Sequence, residues 1–182
     1  MAKLNVPEKN LTLTDPAEIK AYVKPYSMWF EHWDVASRLP SQTVSNEEIL
    51  ELFKPEIEML SLRGGFVTAD IINVSPETPG LDAMLAKFCV EHTHSEDEVR
   101  FVISGRGIFH INPVNASVFS VEMEAGDLIN VPEGTRHWFN LCQEKSIKTI
   151  RLFQDASGWA PHYLEDAVDK LYSPLCFSSV QG

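Results

Sequence analysis

From about Val90 onward the chain falls into short β-rich segments, VRFVI, GIFHI, SVFSVE, DLINV, RHWFNLC and IKTIRLF. This run limits the possible fold more than any other feature. The separators S-G-R-G, N-P-V-N, E-A-G-D and P-E-G-T are rich in Gly, Pro, Asn or Asp, residues that reverse an extended chain. Six short strands at such spacing point to an antiparallel barrel or jelly roll. Gly105 and Gly107 suit a hairpin turn, and Gly134 a tight loop before His137.

Upstream the apolar period changes. Asp15 and Pro16 before AEIKAYV read as an N-cap and a proline at the first helical position. Ser27 to Val35 is aromatic-rich and strand-like. Ser45 opens a capping box, S-N-E-E, leading into ILELFKPEIEML and ending at Gly64-Gly65. Pro55 inside that run predicts a kink or two consecutive helices. Phe66 to Val74 reads as a strand, Leu81 to Phe88 as a short helix, and LEDAVDKLY in the tail as one more helix.

The expectation is one mainly β domain over residues 1–182: a helix-containing part at 1–65, a β-barrel at 66–155 and a tail at 156–182. The helices form an N-terminal layer on the barrel, with a short C-terminal helix. A net charge of −11 disfavours nucleic acid and anionic lipid as partners. No apolar run has the length of a membrane span, and MAKLNVPEKN lacks the apolar core of a secretory signal. Cys89, Cys142 and Cys176, odd in number and widely spaced, read as three thiols in a reducing compartment. A cytoplasmic protein, monomeric since nothing demands a second chain, is expected.

The histidines carry the chemistry. His92 and His94 lie two apart in E-H-T-H-S-E-D-E-V-R, so on a strand both project to one face. Glu98 shares their parity, and His137 follows the P-E-G-T turn on a strand that a barrel brings opposite. Three imidazoles and a carboxylate suit Fe(II), Ni(II), Mn(II) or Zn(II), and six-coordination leaves two positions for substrate. Arg100, two beyond Glu98, faces the same interior and serves as a charge partner for a ligand carboxylate or an anionic substrate. Phe139 shares the parity of His137. Glu96 and Asp97 read either as acceptors for the ligating histidines or as solvent-facing turn residues. His32, His110 and His162 have no ligand partner at recognisable spacing, and the sequon at Asn115 carries no weight without a secretory signal.

These motifs resemble the cupin superfamily. Its first motif appears as Ala86, His92, His94, Glu98 and Gly105, with Ala in place of the opening Gly. Its second appears as Gly126, Pro132, Gly134 and His137, with the closing Asn one residue early at Asn140. Within cupins, KFCVEHTHSEDEVRFVISGRGIF, VPEGTRHWF and RLFQDASGW are similar to the acireductone dioxygenase family.

That resemblance implies metal ligation by His92, His94, Glu98 and His137, a catalytic Arg100, and an apolar wall of Phe88, Phe139 and Trp159 for a methylthio tail. It implies Fe(II) or Ni(II), one per chain, acting with O2 on 1,2-dihydroxy-3-keto-5-methylthiopentene in methionine salvage. With Fe(II) the products are 4-methylthio-2-oxobutanoate and formate. With Ni(II) they are methylthiopropionate, formate and carbon monoxide. A different cupin enzyme, such as another dioxygenase or a sugar isomerase, or a non-enzymatic binding cupin, would keep the ligands but change the wall around them.

Overall fold

The computed structural model describes residues 1–39, 44–155, 160–172 and 176. The chain opens with a strand pair, β1 (Lys3–Val6) and β2 (Leu11–Leu13), followed by α1 (Pro16–Val23) and β3 (Trp29–His32). Then come α2 (Asn46–Leu52), α3 (Lys54–Gly64), β4 (Thr68–Val74) and α4 (Leu81–Phe88). The β-rich part follows as β5 (His92–Thr93), β6 (Glu98–Asn112), β7 (Phe119–Glu124), β8 (Asp127–Val131), β9 (Arg136–Leu141), β10 (Ile147–Phe153) and β11 (His162–Tyr163).

The helices start where side chains satisfy the first amides. Asp15 Oδ1 accepts from the amides of Ala17 and Glu18 at 2.9 and 3.1 Å, and Pro16 occupies the first turn of α1. Ser45 and Glu48 form a reciprocal capping box on α2. Pro55 sits in the first turn of α3, so the interrupted run is two consecutive helices.

Every strand pair is antiparallel, and β6 belongs to two sheets. Its first half pairs with β10 and β8, which carry β4 and β3 on their far sides. Its second half pairs with β9 and β7, which lead outward to β5 and β11 and to β1 and β2. The jelly-roll expectation holds as two sheets joined through one strand, and among the described residues the hydrogen-bond ladder does not close into a ring.

The hairpin expected at Gly105–Gly107 is absent, because VRFVI and GIFHI are one bent strand of 15 residues. Gly105 takes φ +78°, and the register with β10 shifts between Lys148 and Thr149. A left-handed residue plus a bulge turns the strand from one sheet to the other without reversing it. A Cβ at Gly105 would lie 2.1 Å from the Ser146 carbonyl, so only glycine makes this corner.

Alternation along the first sheet decides what faces the site. Val99, Phe101 and Ile103 of β6 and Ile150 and Leu152 of β10 pack outward with Ile49, Phe53 and Leu60 of the helical layer. The opposite parity, Glu98 and Arg100 of β6, Thr68 and Asp70 of β4 and Arg151 and Phe153 of β10, lines an interior cavity. The inter-sheet core continues beyond it with Val74, Val102, Ile147 and Met123.

The tail departs from expectation. Leu164–Tyr172 is not an α-helix; only Val168–Leu171 winds, as a 3-10 turn, and β11 precedes it. The stretch carries three acidic residues among nine with no N-terminal cap side chain, so it has little to nucleate a longer helix. The three-thiol expectation is also corrected, because Cys142 and Cys176 form a disulfide with Cα atoms 5.4 Å apart, leaving Cys89 free. Their partnership depends on the tail returning beside the end of β9, which spacing of 34 residues does not encode. No described helix is long and apolar enough to cross a membrane.

Candidate metal centre

Three strands bring the site together. His92 of β5 is the direct cross-strand partner of His137 of β9, and Glu98 opens β6. The ring centroids of His92, His94 and His137 lie 4.5 to 5.2 Å apart, and one nitrogen from each lies within 4.8 Å of the others. Glu98 Oε2 lies 3.2 Å from His94 Nε2 and 3.1 Å from His137 Nε2.

The backbone sets the tautomer of every ring. Nδ1 of His92, His94 and His137 faces the carbonyls of Val90, Ala160 and Thr135 at 2.7, 3.1 and 2.8 Å. A carbonyl only accepts, so each Nδ1 carries a proton and donates, and a ring that is neutral presents a bare Nε2 lone pair. Two of those lone pairs then confront a carboxylate oxygen, which is unfavourable unless positive charge lies between them. A ring proton or a divalent cation supplies that charge, and neutral imidazoles held by outward Nδ1 hydrogen bonds are the form that binds the cation. The donor set therefore fits a metal.

The charges agree. Burial, with His137 close by, pulls the His92 pKa down to about 4, which keeps its ring neutral at ordinary pH. For His94 burial acts downward, but the Glu98 hydrogen bond and charge outweigh it and raise the pKa. Burial acts upward on Glu98, yet the Arg100 guanidinium and the two histidines hold its pKa well below the usual carboxylate range. Arg100 Nε donates to Glu98 Oε1 at 2.8 Å, leaving Oε2 toward the histidines. Glu96 and Asp97 do not hold the histidines; they accept from the amides of Asp155 and Glu133.

The cavity beside this cluster measures about 490 Å³. His92, His94, Glu98, His137, Arg100, Phe88 and Phe139 all line it, so seven of the eight residues singled out in the sequence meet there. The eighth, Trp159, lies outside the described residues. Phe139 packs on Phe109 with ring centroids 4.8 Å apart. Gly107 makes room for it, since a Cβ there would fall 2.2 Å from Phe139 Cζ. Gly107 is thus a close-approach glycine beneath the Phe139 ring.

The sequence reading missed the part of the wall beside Arg100, whose cross-strand partner is Arg151. Asp70 of β4 and Arg151 of β10 are cross-strand partners, and Arg151 Nε donates to Asp70 Oδ1 at 2.7 Å. Phe109 and Phe153 also line the cavity. The available signal was strand parity, which puts Thr68 and Asp70 on one face of T-A-D-I-I-N-V and Arg151 and Phe153 on one face of I-K-T-I-R-L-F. The other histidines lie elsewhere: His32 bonds Asp127 at 2.8 Å, His110 stacks on Trp138, and His162 is exposed.

Comparison with known proteins places this arrangement. The family model described as the ARD/ARD' family matches residues 5–161. The acireductone dioxygenase of a Picosynechococcus species is 41% identical over 175 residues, covering 96% of this chain and 99% of that protein. That of Bacillus cytotoxicus is 40% identical over 171 residues, covering 90% of this chain and all of its own. Among solved structures, the acireductone dioxygenase from Bacillus anthracis with a cadmium ion in its active centre superposes with a TM-score of 0.83 at 38% identity, covering 90% of this chain and 98% of that one. The chain belongs to the acireductone dioxygenase family, metal-dependent dioxygenases of the cupin fold.

Proposed function

We propose that this chain catalyses the O2-dependent cleavage of 1,2-dihydroxy-3-keto-5-methylthiopentene in methionine salvage, as a cytoplasmic monomer with one Fe(II) or Ni(II). The observation that carries the reading is the set of three Nε2 lone pairs and one carboxylate oxygen converging on the wall of a cavity that turns apolar behind them. His92, His94, Glu98 and His137 would hold the cation. When bound, it supplies Lewis acidity that favours the deprotonated enediol, and its identity selects ketoacid and formate with Fe(II) or methylthiopropionate, formate and carbon monoxide with Ni(II).

The protein's own groups do the rest. Arg100 carries a permanent charge at the cavity wall and stabilises the anionic enediolate, while its hydrogen bond fixes the rotamer of Glu98. The Arg151–Asp70 pair lines the same cavity and holds that wall in place. Phe88 and Phe139 cover the apolar part, exclude water and align the substrate chain so that its oxygenated end lies beside the histidines. Trp159 is proposed as a third member of that wall.

The test is to strip the metal, reload separate samples anaerobically with Fe(II) or Ni(II), add acireductone and O2, and identify the products. Ketoacid with Fe(II) and carbon monoxide with Ni(II), both faster than in the metal-free sample, support the proposal. Oxygen uptake no faster than the spontaneous reaction with either metal overturns it.

A further inference from the structure

Behind the metal cavity lies a narrow recess of about 30 Å³, sharing Phe88, Arg100, Phe109 and Phe139 with it. A recess of that size admits only the end of a bound chain. Its walls are mostly apolar, including Ile72, Val102, Met123 and Leu141, and the polar side chains among them are Arg100, which Glu98 engages, and Thr149. Thr149 of β10 projects into it between its cross-strand partners Ile72 and Val102. The residue is 2% exposed, and its Oγ1 has no hydrogen-bond partner among the described residues.

A buried hydroxyl without a partner is unfavourable, and the rest of this inward row is built to avoid that. Ile147 beside it is apolar, and Arg151 on the other side is bidentate on Asp70. Valine has the same branched shape without the hydroxyl and would fill the position. The hydroxyl thus reads as a group for a ligand: an unpartnered donor in a mostly apolar recess, matched to a chain whose apolar end carries one weak acceptor. A thioether sulfur is such an acceptor and a methylene is not.

We propose that Thr149 is a specificity-determining residue, donating its hydroxyl hydrogen to the thioether sulfur of the substrate tail and selecting it over an all-carbon chain. The assignment rests on the function proposed above. A slot built around a donor discriminates against an analogue that leaves the donor unpaired.

The experiment compares kcat/KM for the methylthio acireductone and for its analogue with sulfur replaced by methylene, in the metal-loaded parent, Thr149→Val and Thr149→Ser. The parent should prefer the thioether by roughly three- to ten-fold, the span of one modest hydrogen bond. Thr149→Val should abolish the preference, and Thr149→Ser should keep it. The melting temperature of Thr149→Val should match or exceed that of the parent, since no protein partner is lost. A preference unchanged in Thr149→Val overturns the inference while the dioxygenase reading stands. So does a melting temperature several degrees lower, which would reveal a structural partner. Turnover of neither substrate by the parent removes the function and this inference with it.

Discussion

Replacing Glu98 by Gln in the metal-free protein isolates what the charge of one buried oxygen contributes. Glu98 is 4% exposed, accepts from Arg100 Nε at 2.8 Å and is held ionised by that guanidinium and two histidines. Glutamine keeps the shape and an oxygen for Arg100 but removes the charge, stranding a buried cation. Removing one partner of a buried pair costs about 3–5 kcal/mol, and the retained hydrogen bond places this case near 3. For a chain of 182 residues that is a fall in melting temperature of about 6–12 °C. Adding Arg100→Met removes the stranded cation, and the double variant should recover to within about 1 kcal/mol of the parent. Urea unfolding of the four chelator-treated proteins at pH 7 measures the cycle. If Glu98→Gln unfolds within about 0.5 kcal/mol of the parent, or the two changes simply add, the pair is not desolvated and the reasoning fails.

Lowering the pH of the metal-free protein should destabilise it between about pH 6.5 and 4. His92 has a folded pKa of about 4 against 6.5 for the free side chain, so the unfolded chain binds the extra proton and stability falls as pH falls. The limit is about 3 kcal/mol, since one pKa unit is worth about 1.4. His94, raised, opposes it, so the diagnostic is a flatter pH profile in His92→Gln than in the parent. Saturating the parent with Ni(II) at about a hundred times its Kd should stabilise it by about 2.7 kcal/mol, and His137→Ala should abolish the effect in a thermal melt. Gly107→Ala should drive the Phe139 ring from its seat, because the new Cβ meets Phe139 Cζ at 2.2 Å. Its kcat/KM should fall with little change in far-UV dichroism, and an unaltered kcat/KM would show that the ring position does not matter.

The elements with strong local instructions were legible at once. Asp15-Pro16, the Ser45–Glu48 box, Pro55 and Leu81–Phe88 each act over a few residues, and the chain forms helices there at the boundaries those residues set. The small pair β1 and β2 escaped notice, because its stability comes from β7, more than a hundred residues away. The S-G-R-G separator was misread for a related reason. A glycine at positive φ ends a strand or bends it depending on whether a neighbouring strand continues to pair, and here β10 and then β9 do.

The sequence by itself determined the donor chemistry of the site: His92, His94 and Glu98 at one parity, His137 after a turn, and Arg100 two residues beyond the carboxylate. Parity along a strand is a local property and sets Arg100 beside Glu98 and Phe139 beside His137, whereas His94 and the bend at residues 94–97 lie between β5 and β6. Only the tertiary structure decided what stands opposite. It set His92 against His137, brought Asp70 and Arg151 beside Arg100, placed Phe139 over Gly107, and set Thr149 in the wall of a mostly apolar recess. Each of these is a pairing between strands distant in sequence. Register across a sheet is fixed by the packing of both faces together, and no local window contains that information.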